Sequence, residues 1–241
     1  MMKTLQFAHS REAHLFGAAF GSRSGGCHAA RMFCFYILSL LLITSLIAKE
    51  STANPEAARA VAAEAAKKYT QQELPEAEKG FQEALRLDPN KVEYLNRLAS
   101  VKTRLGKSPE AEALLKESLQ HQLENPTAWL LLGMNQLEEH QNEKAFASLV
   151  QAALYDPKNA HAQNYLGIAA ERNHWNDISE SSLRKAAELD PNYADAHFNL
   201  AVYYLQLTPP LIEVARRHYQ RALDLGTPHD PKIDEILKKK D

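Results

Sequence analysis

The chain repeats itself every 34 residues. Ala77, Ala111, Ala145 and Ser179 are each 34 positions apart, and Ala215 follows after 36. The turn phrase Asp88-Pro89-Asn90 returns as Asp156-Pro157-Lys158-Asn159 and again as Asp190-Pro191-Asn192, at spacings of 68 and 34. A unit this short cannot bury its own apolar face, so successive units must stack on one another. The two extra residues of the last interval fall near Thr208-Pro209-Pro210.

Each unit has two halves. The second half carries a small residue, a large one four positions on and a small one three further: Ala77, Phe81, Ala84; Ala111, Leu115, Ser118; Ala145, Leu149, Ala152; Ser179, Leu183, Ala186; Ala215, Tyr219, Ala222. That spacing keeps to one face of an α-helix, where small residues permit close approach and the large one fills the gap. The first half is clearest at Trp129, Leu132 and Gly133. It recurs as Leu95, Leu98, Ala99, as Gln163, Leu166, Gly167, and as His197, Leu200, Ala201 with Tyr204. A short loop containing Gly106 or Asn173 joins the halves, and a prolyl or polar turn closes most pairs.

These residues resemble the tetratricopeptide repeat family over about 58–229. The resemblance implies an all-α fold, a right-handed α-solenoid of about five helix-turn-helix pairs at 58–91, 92–125, 126–159, 160–193 and 194–229. The chain departs from the family pattern in three places. The first helix of the first unit is Ala-rich, with Tyr69 one residue out of register; Leu123 holds a closing-proline position; and Ser179 stands where Ala is usual. Residues 230–241 place Ile233, Ile236 and Leu237 at helical spacing after Pro231, which predicts a C-terminal helix capping the last repeat.

The first fifty residues are of another kind. Met32–Ala48 is an uncharged run of 17 residues, about 26 Å long as a helix. The basic leader 1–31 precedes it, with Lys3, Arg11, Arg23 and Arg31 against Glu12, and a linker over 49–57 follows. This asymmetry places residues after Ala48 on the non-cytoplasmic side of a membrane. Two readings stand for 32–48: a signal-peptide core cleaved near Ser51-Thr52-Ala53, or an uncleaved N-terminal anchor that is a single transmembrane helix. An organellar presequence is a third, and Met32 is an alternative start. The expected location is exported, periplasmic or membrane-anchored.

Composition narrows the activity. The net charge of −2 lacks the basic excess of a nucleic-acid binder. Cys27 and Cys34, the two cysteines, both lie in the leader. His121, His140, His161, His174, His197, His218 and His229 show no helical metal-ligand spacing. No phosphate loop or nucleophile elbow occurs. The expectation is therefore no catalysis, metal or cofactor.

In the family, a concave groove lined by the first helix of each pair usually binds a peptide. Carried across, the resemblance puts Asn96, Ser100, Arg104, Leu130, Met134, Asn164, Ile168, Arg172, Phe198, Asn199 and Val202 on that groove. The family variant that clamps a C-terminal carboxylate is disfavoured, because Leu130, Leu131 and Met134 interrupt its Lys/Arg/Asn set. Trp175, in a loop, suits either a contact or packing over its turn. The reading is a protein-interaction scaffold or assembly factor of the cell envelope. The alternative is a self-association module using end repeats or the C-terminal helix, which would make the chain a homo-oligomer.

Overall fold

The computed structural model describes residues 54–238; the segments 1–31 and 32–48 lie outside the described residues. The described residues form eleven α-helices and no strand. They pair as α1 (Pro55–Thr70) with α2 (Leu74–Leu87), α3 (Val92–Arg104) with α4 (Ser108–His121), and α5 (Pro126–Glu138) with α6 (Asn142–Tyr155). Then come α7 (Ala160–Arg172) with α8 (Asn176–Leu189) and α9 (Ala194–Gln206) with α10 (Ile212–Asp224), and last α11 (Pro231–Lys238). None of these helices is long and apolar enough to cross a membrane.

Local chemistry sets the ends of these helices. The side chains of Asn54, Asn125 and Asn159 accept hydrogen bonds from the N–H of Ala57, Ala128 and Ala162 at 3.0, 3.0 and 3.1 Å, capping α1, α5 and α7. With Asn54 as cap and Pro55 in the first turn, α1 starts inside the segment expected to be linker. Each first helix of pairs one to four stops at a left-handed residue: Gln72, Gly106, His140 and His174, with φ of 65°, 72°, 57° and 61°. The next amide then donates back across the turn, for example Lys107 N–H to the Lys102 carbonyl at 2.8 Å and Trp175 N–H to Ala170 at 2.9 Å. His174 is thus the turning residue of the fourth pair. Asn173 instead braces the turn, its Nδ2 donating to the carbonyls of Ala169 at 2.7 Å and Asn142 at 3.1 Å. In the fifth pair the equivalent position is Thr208, and the two-residue insertion replaces the turn.

Helix pairs close because a small residue meets a large one. A Cβ added at Gly133 would lie 2.5 Å from Leu149 Cγ, and one at Gly167 would lie 2.6 Å from Leu183 Cγ. Leu115, Leu149 and Leu183 are fully enclosed as a result. Consecutive first helices also touch, α3 with α5, α5 with α7 and α7 with α9, while contacts between consecutive second helices are sparser. The first helices therefore line the inner face of the array. Aromatic side chains cover two turns. Trp129 Nε1 donates to the Leu123 carbonyl at 2.7 Å, and Trp175 stands edge-on to Phe146 with ring centres 4.5 Å apart. Trp175 thus packs over its turn while remaining partly exposed.

The C-terminal helix seals the far end. Asp230 Oδ1 accepts from the N–H of Lys232 and Ile233, at 2.8 and 3.2 Å, and so caps α11. Ile233 and Leu237 are buried against Ala201 and Tyr219, and the Tyr219 hydroxyl donates to Asp234 at 2.9 Å.

An ion cluster ties α2 to the second pair. Lys102, nearly buried, reaches Glu78 at 2.7 Å and Glu110 at 2.6 Å, and Lys107 reaches Glu78 at 2.7 Å. Hydrogen bonds from Lys102 and Lys107 hold the Glu78 carboxyl below its ordinary value of 4.5. Burial alone would lower Lys102, but Glu110 and Glu78 hold it above the ordinary lysine value.

Ser179 is fully buried at the small position, and its hydroxyl has no partner among the described residues. Replacing it removes an unsatisfied group without opening a cavity, so Ser179→Ala stabilises the protein by about 1 kcal/mol in urea unfolding. Glu78→Gln costs about 2 kcal/mol at pH 7, because it weakens the pairing of a buried lysine. The Glu78 pKa is depressed on folding, so its contribution is present above the ordinary glutamate range and is lost as pH falls through the lower folded value. The gap between wild type and Glu78→Gln in urea unfolding therefore narrows from pH 7 to pH 3.

Candidate functional site

Apart from Asn199, the residues that the family register puts on the groove form a column at four-residue spacing on the first helices. On α3 the column is Asn96, Ser100 and Arg104. Asn96 is buried, and its Oδ1 accepts from the Ser118 hydroxyl at 2.7 Å, which fixes the side chain from behind. Ser100 Oγ lies 3.0 Å from the Tyr69 hydroxyl. Arg104 stacks on the Tyr69 ring at 4.7 Å and donates to the Gln72 side chain. Ser100 and Arg104 thus lean on the first repeat.

On α5 and α7 the column changes character. Leu130 and Ile168 are partly buried against one cluster containing Leu137, Leu149 and Leu166. Met134 is half-buried beside them in sequence. Arg172 Nη1 donates to the Leu137 carbonyl at 2.7 Å, placing a cation on the last turn of α5. Asn164 is buried; its Nδ2 donates to the Tyr193 hydroxyl at 3.3 Å, and its Oδ1 accepts from Asn199 Nδ2 at 2.9 Å. Asn164 is thus engaged through both its oxygen and its amide nitrogen, and Asn199 through its amide nitrogen. Burial, followed by nearby Asp195, pushes the Tyr193 phenol up, so it stays a neutral hydrogen-bonding group. On α9, Phe198 and Val202 pack into the cluster that receives Ile233 and Leu237 of α11.

Of the eleven residues, the structure gathers Asn96 and Ser100 into one open cleft of about 830 Å³. The cleft lies between α3 and α5 on the inner face. Val92 and Leu131 supply apolar surface; Lys91, Glu93 and Arg97 supply charge; Gln122 and Asn125 come from the turn before α5 and Thr127 from its first turn. Arg97 and Leu131 stand 34 residues apart, one position beyond the column that the register selects. The sequence reading took that register at Asn199 and missed it at Arg97 and Leu131, together with the residues of the turn. The turn could have been found from Asn125-Pro126, which puts a capping asparagine at the mouth of α5.

The cleft is rich in donors. The oxygens of Asn96 and Asn125 are engaged by Ser118 and by the Ala128 N–H, leaving their NH₂ groups for a ligand. Glu93 is partly offset by Arg97 at 4.0 Å. No group of three or more metal-ligating side chains occurs among the described residues.

The comparisons with known proteins agree with this architecture. No curated protein matches the chain in sequence. Among solved structures, the chain is similar to pilF of Pseudomonas aeruginosa, at 16% identity and a TM-score of 0.67, over 77% of this chain and 86% of that one. It is similar to a thermophilic tetratricopeptide repeat protein of Thermus thermophilus, at 20% identity and a TM-score of 0.62, over 76% and 97% of the two chains. It is also similar to YrrB, described as a tetratricopeptide repeat protein with an unusual peptide-binding site, at 21% identity and a TM-score of 0.57, over 81% and 97%. These likenesses concern the fold. Residues 68–126 and residues 182–226 each match a family model described as tetratricopeptide repeat, and the helix pairs between them continue the same period. The chain is a tetratricopeptide repeat protein.

Proposed function

We propose that this chain is a non-catalytic interaction scaffold that holds an extended polypeptide on its inner face, on the non-cytoplasmic side of a membrane. The observation that carries the reading is the cleft between α3 and α5. An extended peptide presents a carbonyl acceptor at every residue. The free NH₂ groups of Asn96 and Asn125, with Ser100 and Thr127, are the complementary donors lining the cleft from both helices. Val92 and Leu131 offer apolar contact for alternate side chains. The inner face of α7 and α9 is less available, since Asn164 and Asn199 bond each other and Phe198 and Val202 pack towards α11. The placement across a membrane rests on the apolar run 32–48 and its flanking charges. The peptide-binding site named for YrrB supports the same use of the fold.

Self-association through α11 is the weaker reading. Ile233 and Leu237 are buried on their own chain, which leaves Ile236 as the exposed apolar position of that helix.

A photo-reactive amino acid tests the site in cells that make the protein. Placed at Ser100, it forms polypeptide adducts. Placed at Lys116 on α4, whose side chain is exposed, it does not. Arg97→Glu combined with Leu131→Glu lowers adduct yield at Ser100 about tenfold with helical circular dichroism unchanged, equivalent to about 1.4 kcal/mol of binding. Equal adducts at Ser100 and Lys116 would remove the inner face from the account.

A further inference from the structure

The histidines are scattered in sequence, yet the fold brings two of them into contact. His197 on α9 and His218 on α10 have their Nδ1 atoms 3.1 Å apart, with rings stacked at 5.4 Å. His197 Nε2 lies 3.2 Å from the Pro191 carbonyl oxygen, which only accepts. Nε2 therefore carries the proton, and neutral His197 presents a lone pair at Nδ1. The Nδ1–H of His218 donates to that lone pair, and the His218 ring stacks on Tyr204 at 5.8 Å.

The pair is particular to the last repeat. The equivalent positions hold Val61 and Gly80, Leu95 and Leu114, Trp129 and Ser148, and Gln163 and Ser182 in the four repeats before it. None of these eight residues titrates near neutral pH.

We propose that His197 and His218 form an acid-labile latch between α9 and α10, which accepts at most one proton while it is closed. One proton on His218 Nε2 leaves the inter-ring hydrogen bond intact. A second, on His197 Nδ1, would set two N–H groups against each other across 3.1 Å, and Nε2 cannot be freed while Pro191 holds it. The unfolded pair takes two protons in the ordinary imidazole range near 6.5.

The surroundings oppose even the first proton. Burial, then His197, Arg217 and Arg184, hold His218 below its ordinary value. From α10, Arg221 shares the Pro191 carbonyl at 3.2 Å. From α8, the Glu180 carboxylate is engaged by the Tyr204 hydroxyl at 3.0 Å and by Arg184 at 3.9 Å. The folded pKa of His218 is thus depressed, so its stabilisation is present above the imidazole range and is lost as pH falls below it. Opening α9 from α10 also withdraws the surface on which α11 rests.

The test uses the full chain. One proton fewer in the folded state, between pH 7.5 and 5.5, raises the unfolding constant about tenfold. Urea unfolding of wild type should show that loss in excess of His218→Phe, which keeps a ring beside Tyr204 and removes the second titrating site. Nitrogen-resolved NMR of the wild type supplies a readout independent of the variant's folding. The two rings, assigned by loss of signal in single His→Phe variants, should take up no more than one proton by pH 5.5 with the amide spectrum still folded. Equal pH dependence in wild type and variant, or two imidazolium rings in the folded chain at pH 5.5, would overturn the latch.

Discussion

Everything in this array depends on how closely two helices of a pair can approach. At Gly133 and Gly167 there is no room for a Cβ beside Leu149 and Leu183, so the first helix lies directly on the leucine side chain of the second. Ala99 and Ala201, at the same position in their repeats, are fully buried. The close approach therefore belongs to the repeat and not to one helix pair. A small residue at this position in successive pairs lets one pair present a similar surface to the next, and stacking then buries what each pair leaves open. The inner face, the cleft and the end cap follow from that regularity.

The parts of the structure legible in sequence are those that the regularity dictates. The helix pairs appear as the spacing of Ala77, Phe81 and Ala84 and of its later copies, because a single face of a helix must satisfy the same neighbour every time. The boundaries were less plain. The start of α1 depends on one side-chain hydrogen bond from Asn54, and the turn at His174 demands a left-handed backbone from a residue that gives no glycine signal. Asn173, legible only as part of the joining loop, is a side-chain brace one position earlier. Periodicity finds helices through burial, whereas caps and turns are decided by individual polar atoms.

The groove was legible as a face and not as a site. The family register selects one residue in four on each first helix, but neighbouring repeats put different chemistry there. Asn96 backs onto a serine, Leu130 and Ile168 join an apolar cluster, Asn164 bonds Asn199, and Phe198 packs towards α11. Whether such a position faces a ligand depends on what the next repeat does with it, and this is a tertiary property. The same holds outside the groove. One position carries Lys102, Gln136, Ala170 and Tyr204 in successive repeats; it binds carboxylates in one, a serine hydroxyl in another and Glu180 in the last. A repeat fixes the place and leaves the chemistry open.

The seal made by α11 has a consequence for how such a chain can grow. Ile233 and Leu237 occupy the surface on which the first helix of a sixth pair would sit. Lengthening at that end would require displacing the seal, while inserting a whole 34-residue unit between existing pairs would leave it in place. Internal duplication is therefore the route that preserves both ends. An array lengthened that way would carry the His197–His218 pair along as part of its terminal module, at a distance from the α3–α5 cleft that increases with each added unit.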